Sequence, residues 1–210
     1  MKIHAFPMTP RAFKVLAVAE HLGVPYEFVF CDLTKGDQKT RAFTAINPNQ
    51  KMPVLEDGDF TLWESNAIIQ YLASKRPGLL LPLDEQMRAD IARWMFWEST
   101  TWDPAVSILI FERVVKSFFG IGAPDPAREA DGEAKFHIAA AILDAQLQGR
   151  DFVCGKLSLA DFSLAAGLTL AEEARVPLEQ YGDLHRWYAR ISELPAWSAV
   201  RAMQRPPVAA

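Results

Sequence analysis

The sequence predicts an α/β sheet domain followed by an all-helical bundle. Three observations carry that prediction. Over residues 1–76, short strand-like stretches alternate with amphipathic helical ones in the order βαβ, then α, then ββα. A linker over residues 77–86, with Pro77, Gly78 and Pro82, separates this region from the rest. From residue 87 to residue 204 the alternation disappears and long apolar and aromatic helical runs take over. A chain of 210 residues is long enough for two such units, each with a core.

KIHAF (Lys2–Phe6) reads as the first strand. From Arg11 to Leu22 the residues Phe13, Leu16, Ala17 and Ala19 recur at helical spacing, and Gly23 supplies a stop. YEFVFCDL (Tyr26–Leu33) alternates and is rich in aromatics and Val, which suits a second strand. A turn-forming TKGDQKT leads to a short helix around Thr40–Ala45. MPVLED then reads as a third strand, and Asp57-Gly58 signals a hairpin into DFTLW. The parallel crossover and the hairpin make a sheet of about four strands, covered by the helix that ESN opens. In the second part, helices are expected over Met87–Phe119, Ala127–Leu147 and Leu159–Ala174, with a final pair ending near Met203. RPPVAA (residues 205–210) reads as a tail.

Composition bounds the function without choosing it. Half of the residues are hydrophobic, 23% are charged and the formal net charge is −4, with no basic run, so no nucleic-acid partner is expected. The first residues lack the apolar core of a signal peptide. No apolar stretch reaches the ~18 residues of a membrane span, so no membrane partner is expected either. Cys31 and Cys154 lie far apart outside any CxxC, which argues for a reducing cytoplasm rather than a disulfide or zinc framework. His4, His21, His137 and His185 are scattered without metal-ligand spacing, so no metal is expected.

Three stretches could carry chemistry. In FPMTPRAF, Thr9 followed by Pro10 is an N-cap with a first-turn proline. It also opens the helix after the first strand, where α/β sheets collect ligands, and its hydroxyl could donate to an anion such as a thiolate. In NPNQKMPVL, Pro53 is an ordinary strand-edge proline, or a cis proline that presents the backbone of Met52 to a peptide-like ligand. The sequence alone favours trans. In LWESNAIIQYL, the polar residues at the strand-to-helix junction cap the helix, or receive a ligand's charged groups at its start. Glu64 suits an ammonium and Ser65 a carboxylate. With Gln38, Lys39 and Lys51 nearby in the chain, there are groups for two carboxylates and one amine.

Taken in order, a strand ending in a hydroxyl residue, NPxxxxP, EDG and LWES before an amphipathic helix resemble the glutathione transferase family. The likeness is to its cytosolic serine- or threonine-type members, bacterial-like and related to the phi, delta and nu classes. SLADFSLAA (Ser158–Ala166) is similar to the capping box of that family's helical domain. There Ser158 caps the helix, Asp161 reaches back, and loss of Asp161 should cost about 1 kcal/mol or more. The resemblance implies a thioredoxin-like N-terminal domain that binds glutathione as co-substrate, and an all-α C-terminal domain that supplies an apolar pocket. It implies a cytosolic homodimer acting on small apolar electrophiles, with detoxification as its role. By position, Glu64 and Ser65 would hold the γ-glutamyl end and Met52, before Pro53, would pair with the cysteinyl backbone. Lys51, with Lys39 and Gln38 nearby, would meet the glycine carboxylate. Thr9 falls where such members carry the catalytic hydroxyl, with Arg11 the alternative group for holding the sulfur as an anion, and Met8, Trp102 and Val106 are the candidates for the apolar wall. Asn49 and Gln50 depart from the family's usual aromatic and glycine. Glutathione-dependent reduction of disulfides or peroxides is the alternative on the same site. A non-catalytic binding or dimerisation module is the alternative from another class.

Overall fold

The computed structural model describes residues 1–204; the expected tail lies outside the described residues. The chain divides into two compact units, residues 1–81 together with the segment from Glu193, and residues 82–192.

The first unit contains β1 (Lys2–Ala5), α1 (Pro10–Leu22), β2 (Glu27–Phe30), α2 (Arg41–Ile46), β3 (Val54–Asp57), β4 (Phe60–Trp63) and α3 (Ser65–Ser74). The strands form one sheet in the order β2-β1-β3-β4. β1 runs parallel to β2 and antiparallel to β3, and β4 closes the hairpin. Because side chains alternate along a strand, Ile3, Ala5 and Leu55 face the buried layer while His4 and Glu56 face the other side. On that second side Phe43 of α2 packs with Cys31 and Val54, and the partly buried Met52 leans on the same cluster. α1 and α3 pack together, and α1 is apolar almost all round, as a helix covered on several sides must be. Gly23 ends α1 at φ 59°, the left-handed C-cap that glycine adopts without steric cost. β2 spans only four of the expected eight residues and stops at Phe30, where Asp32 begins a turn closed by its own side chain on Thr34.

A further helix, α10 (Pro195–Met203), belongs to this unit and not to the helical one in which the sequence reading put it. It packs on α1, with the ring of Trp197 edge-on to Phe13 at 4.6 Å. Burying two large aromatics together outweighs their distance in sequence.

The second unit opens with a continuous helical run from Glu85 to Phe119. It comprises α4 (Glu85–Trp97), α5 (Asp103–Ile110) and α6 (Lys116–Phe119), joined by π-helical turns at Glu98–Trp102 and Phe111–Val115. α7 (Pro126–Leu147), α8 (Leu159–Ala166) and α9 (Gly182–Ser192) complete it. α8 ends eight residues before the expected Ala174. The hydroxyl of Thr169 donates to the Ala166 carbonyl at 2.8 Å, and the amide of Leu168 turns back to Ala165. Such local bonds replace the helical ladder with turns. At the other end Ser158 and Asp161 form the capping box. The Asp161 carboxylate accepts from the amides of Ser158 and Val153, both at 2.9 Å, from the Ser158 hydroxyl at 3.0 Å, and from the indole of Trp187 at 2.9 Å. Burial pushes this carboxyl above the usual carboxylate range although these bonds pull the other way. Among the described residues, no helix is long and apolar enough to cross a membrane.

Candidate functional site

The loop that leaves α2 is organised by Asn47, a fully buried residue. Its side-chain amide donates to the Lys51 carbonyl at 2.7 Å, and its side-chain oxygen accepts from the Asn49 amide at 3.0 Å. An asparagine bonding its own backbone two residues on is an Asx turn, and here it holds the chain open for the residues that follow. Gln50 takes φ 55°, a left-handed conformation that only glycine adopts without steric cost. The Met52–Pro53 peptide bond is cis, against the trans isomer that the sequence favours.

Across from this loop, α3 starts in an unusual way. Its N-cap is Glu64, at φ 72° and ψ 112°, and no side chain caps the helix. Ser65, the first helical residue, is buried, and Glu64 is exposed. The junction therefore does not serve as an ordinary cap: the amides at the head of α3 receive nothing from the Glu64 side chain. Uncapped amides and the positive end of a helix suit an anion. Behind the turn, the buried Lys14 donates to Asn66 at 3.0 Å and ties α3 to α1. A non-glycine residue held in a sparsely populated conformation at a helix start is a recurrent mark of ligand sites.

These two segments face each other over a cleft lined by Arg11, Asn47, Asn49, Lys51, Met52, Pro53, Glu64 and Ser65. Five of the residues expected from the sequence meet there: Lys51, Met52, Pro53, Glu64 and Ser65. Two cations and one carboxylate line it, the complement of a ligand with two carboxylates and an ammonium. Asn47 and Arg11 join them. Asn47 was legible only as the first residue of NPN, whereas Arg11 stood beside Thr9 as the other group that could hold the sulfur.

The remaining expected residues lie elsewhere. Gln38 and Lys39 sit on a 3-10 turn (Asp37–Lys39) and do not line the cleft, although the side-chain oxygen of Gln38 is buried without a hydrogen-bond partner. Thr9 is the N-cap of α1: its hydroxyl accepts from the Ala12 amide at 3.4 Å and donates to the Phe6 carbonyl at 3.1 Å. Met8 is half-buried beside it. Trp102 and Val106 are buried core residues of the helical unit, which corrects their expected place on the apolar wall of a substrate pocket. Trp102 has no exposed surface, stacks on Trp97 and bonds the Leu164 carbonyl at 2.9 Å, and Val106 is 1% exposed.

Neither cysteine offers a reactive thiol. Burial, with help from Asp37, pushes Cys31 up to about 11, and burial beside Asp90 pushes Cys154 up to about 12. Both are unpaired. Among the described residues, no group of three or more His, Cys, Asp or Glu side chains is placed to share a metal ion.

Comparison with known proteins agrees with the fold. The family model for the glutathione S-transferase N-terminal domain matches residues 1–74, and that for the C-terminal domain matches residues 110–195. A glutathione S-transferase from Hyoscyamus muticus is 31% identical over 204 residues, covering 94% of this chain and 96% of that protein. The crystal structure of a glutathione transferase from Populus trichocarpa superimposes with a TM-score of 0.90 at 28% identity, covering 98% of this chain and 99% of the other. A Pseudomonas putida glutathione transferase, solved with one glutathione disulfide per subunit, superimposes with a TM-score of 0.85 at 26% identity, covering 99% and 91%. With a thioredoxin-like first unit, a helical second unit and a cleft of this composition, the chain belongs to the glutathione S-transferase family.

Proposed function

We propose that this protein is a glutathione transferase that conjugates glutathione to small apolar electrophiles and so detoxifies them. The observation that carries the proposal is the head of α3. It is a helix start with no side-chain cap, and its strained N-cap Glu64 faces two cations and the Met52 backbone across one cleft. In this reading Ser65 and the α3 amides receive the γ-glutamyl carboxylate, and Glu64 receives the ammonium. The Met52 backbone pairs with the cysteinyl residue, and Lys51 meets the glycine carboxylate. Gln38 and Lys39 contribute only through long-range charge and loop packing.

The sulfur then lies toward the start of α1, near Met8, Thr9 and Arg11. A free thiol near pKa 8.5 is mostly protonated at neutral pH, so the site must favour the anion. The proton leaves sulfur for solvent water. A sulfur lone pair then forms the new bond to carbon, and either a leaving group departs with its electron pair or the adjacent atom takes a proton.

We further propose a homodimer in a reducing cytoplasm. Its support is the set of exposed rings at Phe60 and Trp63 on the edge strand β4 and at Phe96 on α4, together with two unpaired cysteines. Light scattering of the purified protein tests the dimer.

The function is tested by calorimetry with reduced glutathione, followed by a rate assay with a nitro-activated aryl chloride beside a hydroperoxide and a mixed disulfide. Binding with conjugation as the fastest of the three reactions is the expected outcome. Binding with only peroxide or disulfide turnover would replace the transferase with a reductase. A protein that does not bind glutathione at all would be a non-catalytic module.

A further inference from the structure

The start of α1 has few donors left to offer a sulfur anion. Pro10, its first residue, has no N–H. The Thr9 amide bonds the Phe6 carbonyl at 3.0 Å, the Ala12 amide bonds the Thr9 hydroxyl at 3.4 Å, and the Phe13 amide bonds the Thr9 carbonyl at 2.9 Å. A threonine hydroxyl has one proton, and that of Thr9 goes to the Phe6 carbonyl at 3.1 Å. To serve sulfur it must abandon that half-buried carbonyl. Thr9 therefore fixes the turn, and Thr9 itself does not line the cleft.

Arg11 does line it. It sits in the first turn of α1, is exposed, and shares the cleft with Met52, whose backbone is proposed to pair with the cysteinyl part of the ligand, and with Pro53 beside it. Its guanidinium is always charged and offers several donors in a fixed plane. We infer that Arg11 is the catalytic cation of this enzyme: its guanidinium holds the glutathione sulfur as the thiolate, and Thr9 is the cap that positions the turn from which it reaches. Arg11 takes no proton, since a guanidinium already carries its own. It lowers the free energy of the anion after the sulfur's proton has left to water. This inference rests on the glutathione reading above.

A cation within about 4–6 Å lowers an acid's pKa by roughly 1–3 units. Because Arg11 is exposed, the lower end applies, about one unit or a tenfold gain in thiolate fraction. Exposure also gives the inference a signature. Attraction to a solvent-exposed cation is screened by salt, whereas a hydroxyl-to-sulfur hydrogen bond is not.

The test is a pH titration of bound glutathione by thiolate ultraviolet absorbance, in low and high salt. The wild-type protein is compared with Arg11→Ala, Arg11→Lys and Thr9→Ala, after calorimetry has shown that each binds. The expected result is a midpoint about one pH unit higher in Arg11→Ala, with conjugation at neutral pH about tenfold slower at saturating glutathione. Arg11→Lys should recover most of the shift, and high salt should raise the wild-type midpoint toward that of Arg11→Ala. An unmoved midpoint in Arg11→Ala, or a larger rise in Thr9→Ala than in Arg11→Ala, overturns the inference and returns the role to the hydroxyl. A wild-type protein that does not bind glutathione overturns the glutathione reading as well, a result distinguishable from either of these.

Discussion

Replacing Asp161 with alanine should be among the most damaging single changes in the helical unit. The carboxylate is fully buried and receives four donors from three places in the chain: the cap residue Ser158, the amide of Val153 before it, and the indole of Trp187 on α9. Alanine orphans three buried N–H groups, while the Ser158 hydroxyl can rotate away. Each orphaned group costs about 1–3 kcal/mol. A water entering the vacated space, and relief from burying a carboxyl, both reduce the sum, so the low end applies. The expected loss is about 3–4 kcal/mol, well above the ~1 kcal/mol of an ordinary exposed cap. For a chain of this length that lowers Tm by roughly 6–16 °C. Asp161→Asn should fall between the two, because its carbonyl still accepts while its NH2 confronts a donor. The assay is urea unfolding followed by tryptophan fluorescence, with the midpoint shifting at constant m. A loss below ~1 kcal/mol for Asp161→Ala would refute the accounting, since it would mean that the Val153 and Trp187 bonds contribute nothing beyond the cap.

Three further outcomes follow from the geometry. Glu64→Gly should relieve the backbone at φ 72° and raise stability by about 1 kcal/mol while weakening glutathione binding at least tenfold; calorimetry and thermal melts on the same sample check both signs. Burial lowers the pKa of His21 below 6.5, so the folded state binds fewer protons than the unfolded one. Stability from this group is complete above pH 6.5 and declines as pH falls through 6.5 toward the folded-state pKa; His21→Gln should flatten that part of the unfolding profile between pH 7 and pH 5. At pH 8, thiols held up at about 11 and about 12 are ionised to only about one part in 10³ and 10⁴. Cys31 and Cys154 should thus react with a disulfide reagent far more slowly in the native protein than in urea, and fast native labelling of either would contradict its burial.

Much of this molecule is written locally in its chain. The order of strands and helices, the Thr9–Pro10 start and Gly23 stop of α1, the hairpin at Asp57-Gly58 and the Ser158–Asp161 box all depend on neighbours within a few residues. Each is legible because propensity, capping and turn chemistry act over that range. α8 is shorter than its apolar pattern predicts because the pattern runs past the point where Thr169 bonds the backbone, and hydrophobic period alone does not register such competition.

What the tertiary structure decided is where distant segments meet. Sequence alone named Lys51, Met52, Pro53, Glu64 and Ser65, but only folding brings Arg11 to them and keeps Gln38 and Lys39 out of the cleft. It makes Trp102 and Val106 core, gives Asp161 the indole of Trp187 as a partner, and lays α10 against α1. It also selects the cis isomer at Pro53 and the strained backbone of Glu64. The Phe13–Trp197 and Asp161–Trp187 contacts join residues far apart in the chain, beyond the reach of local preference. The catalytic question at Thr9 and Arg11 is of the same kind. Both residues were visible in FPMTPRAF, but that the Thr9 hydroxyl is spent on the Phe6 carbonyl and that Arg11 lines the cleft are decided only by the folded loop.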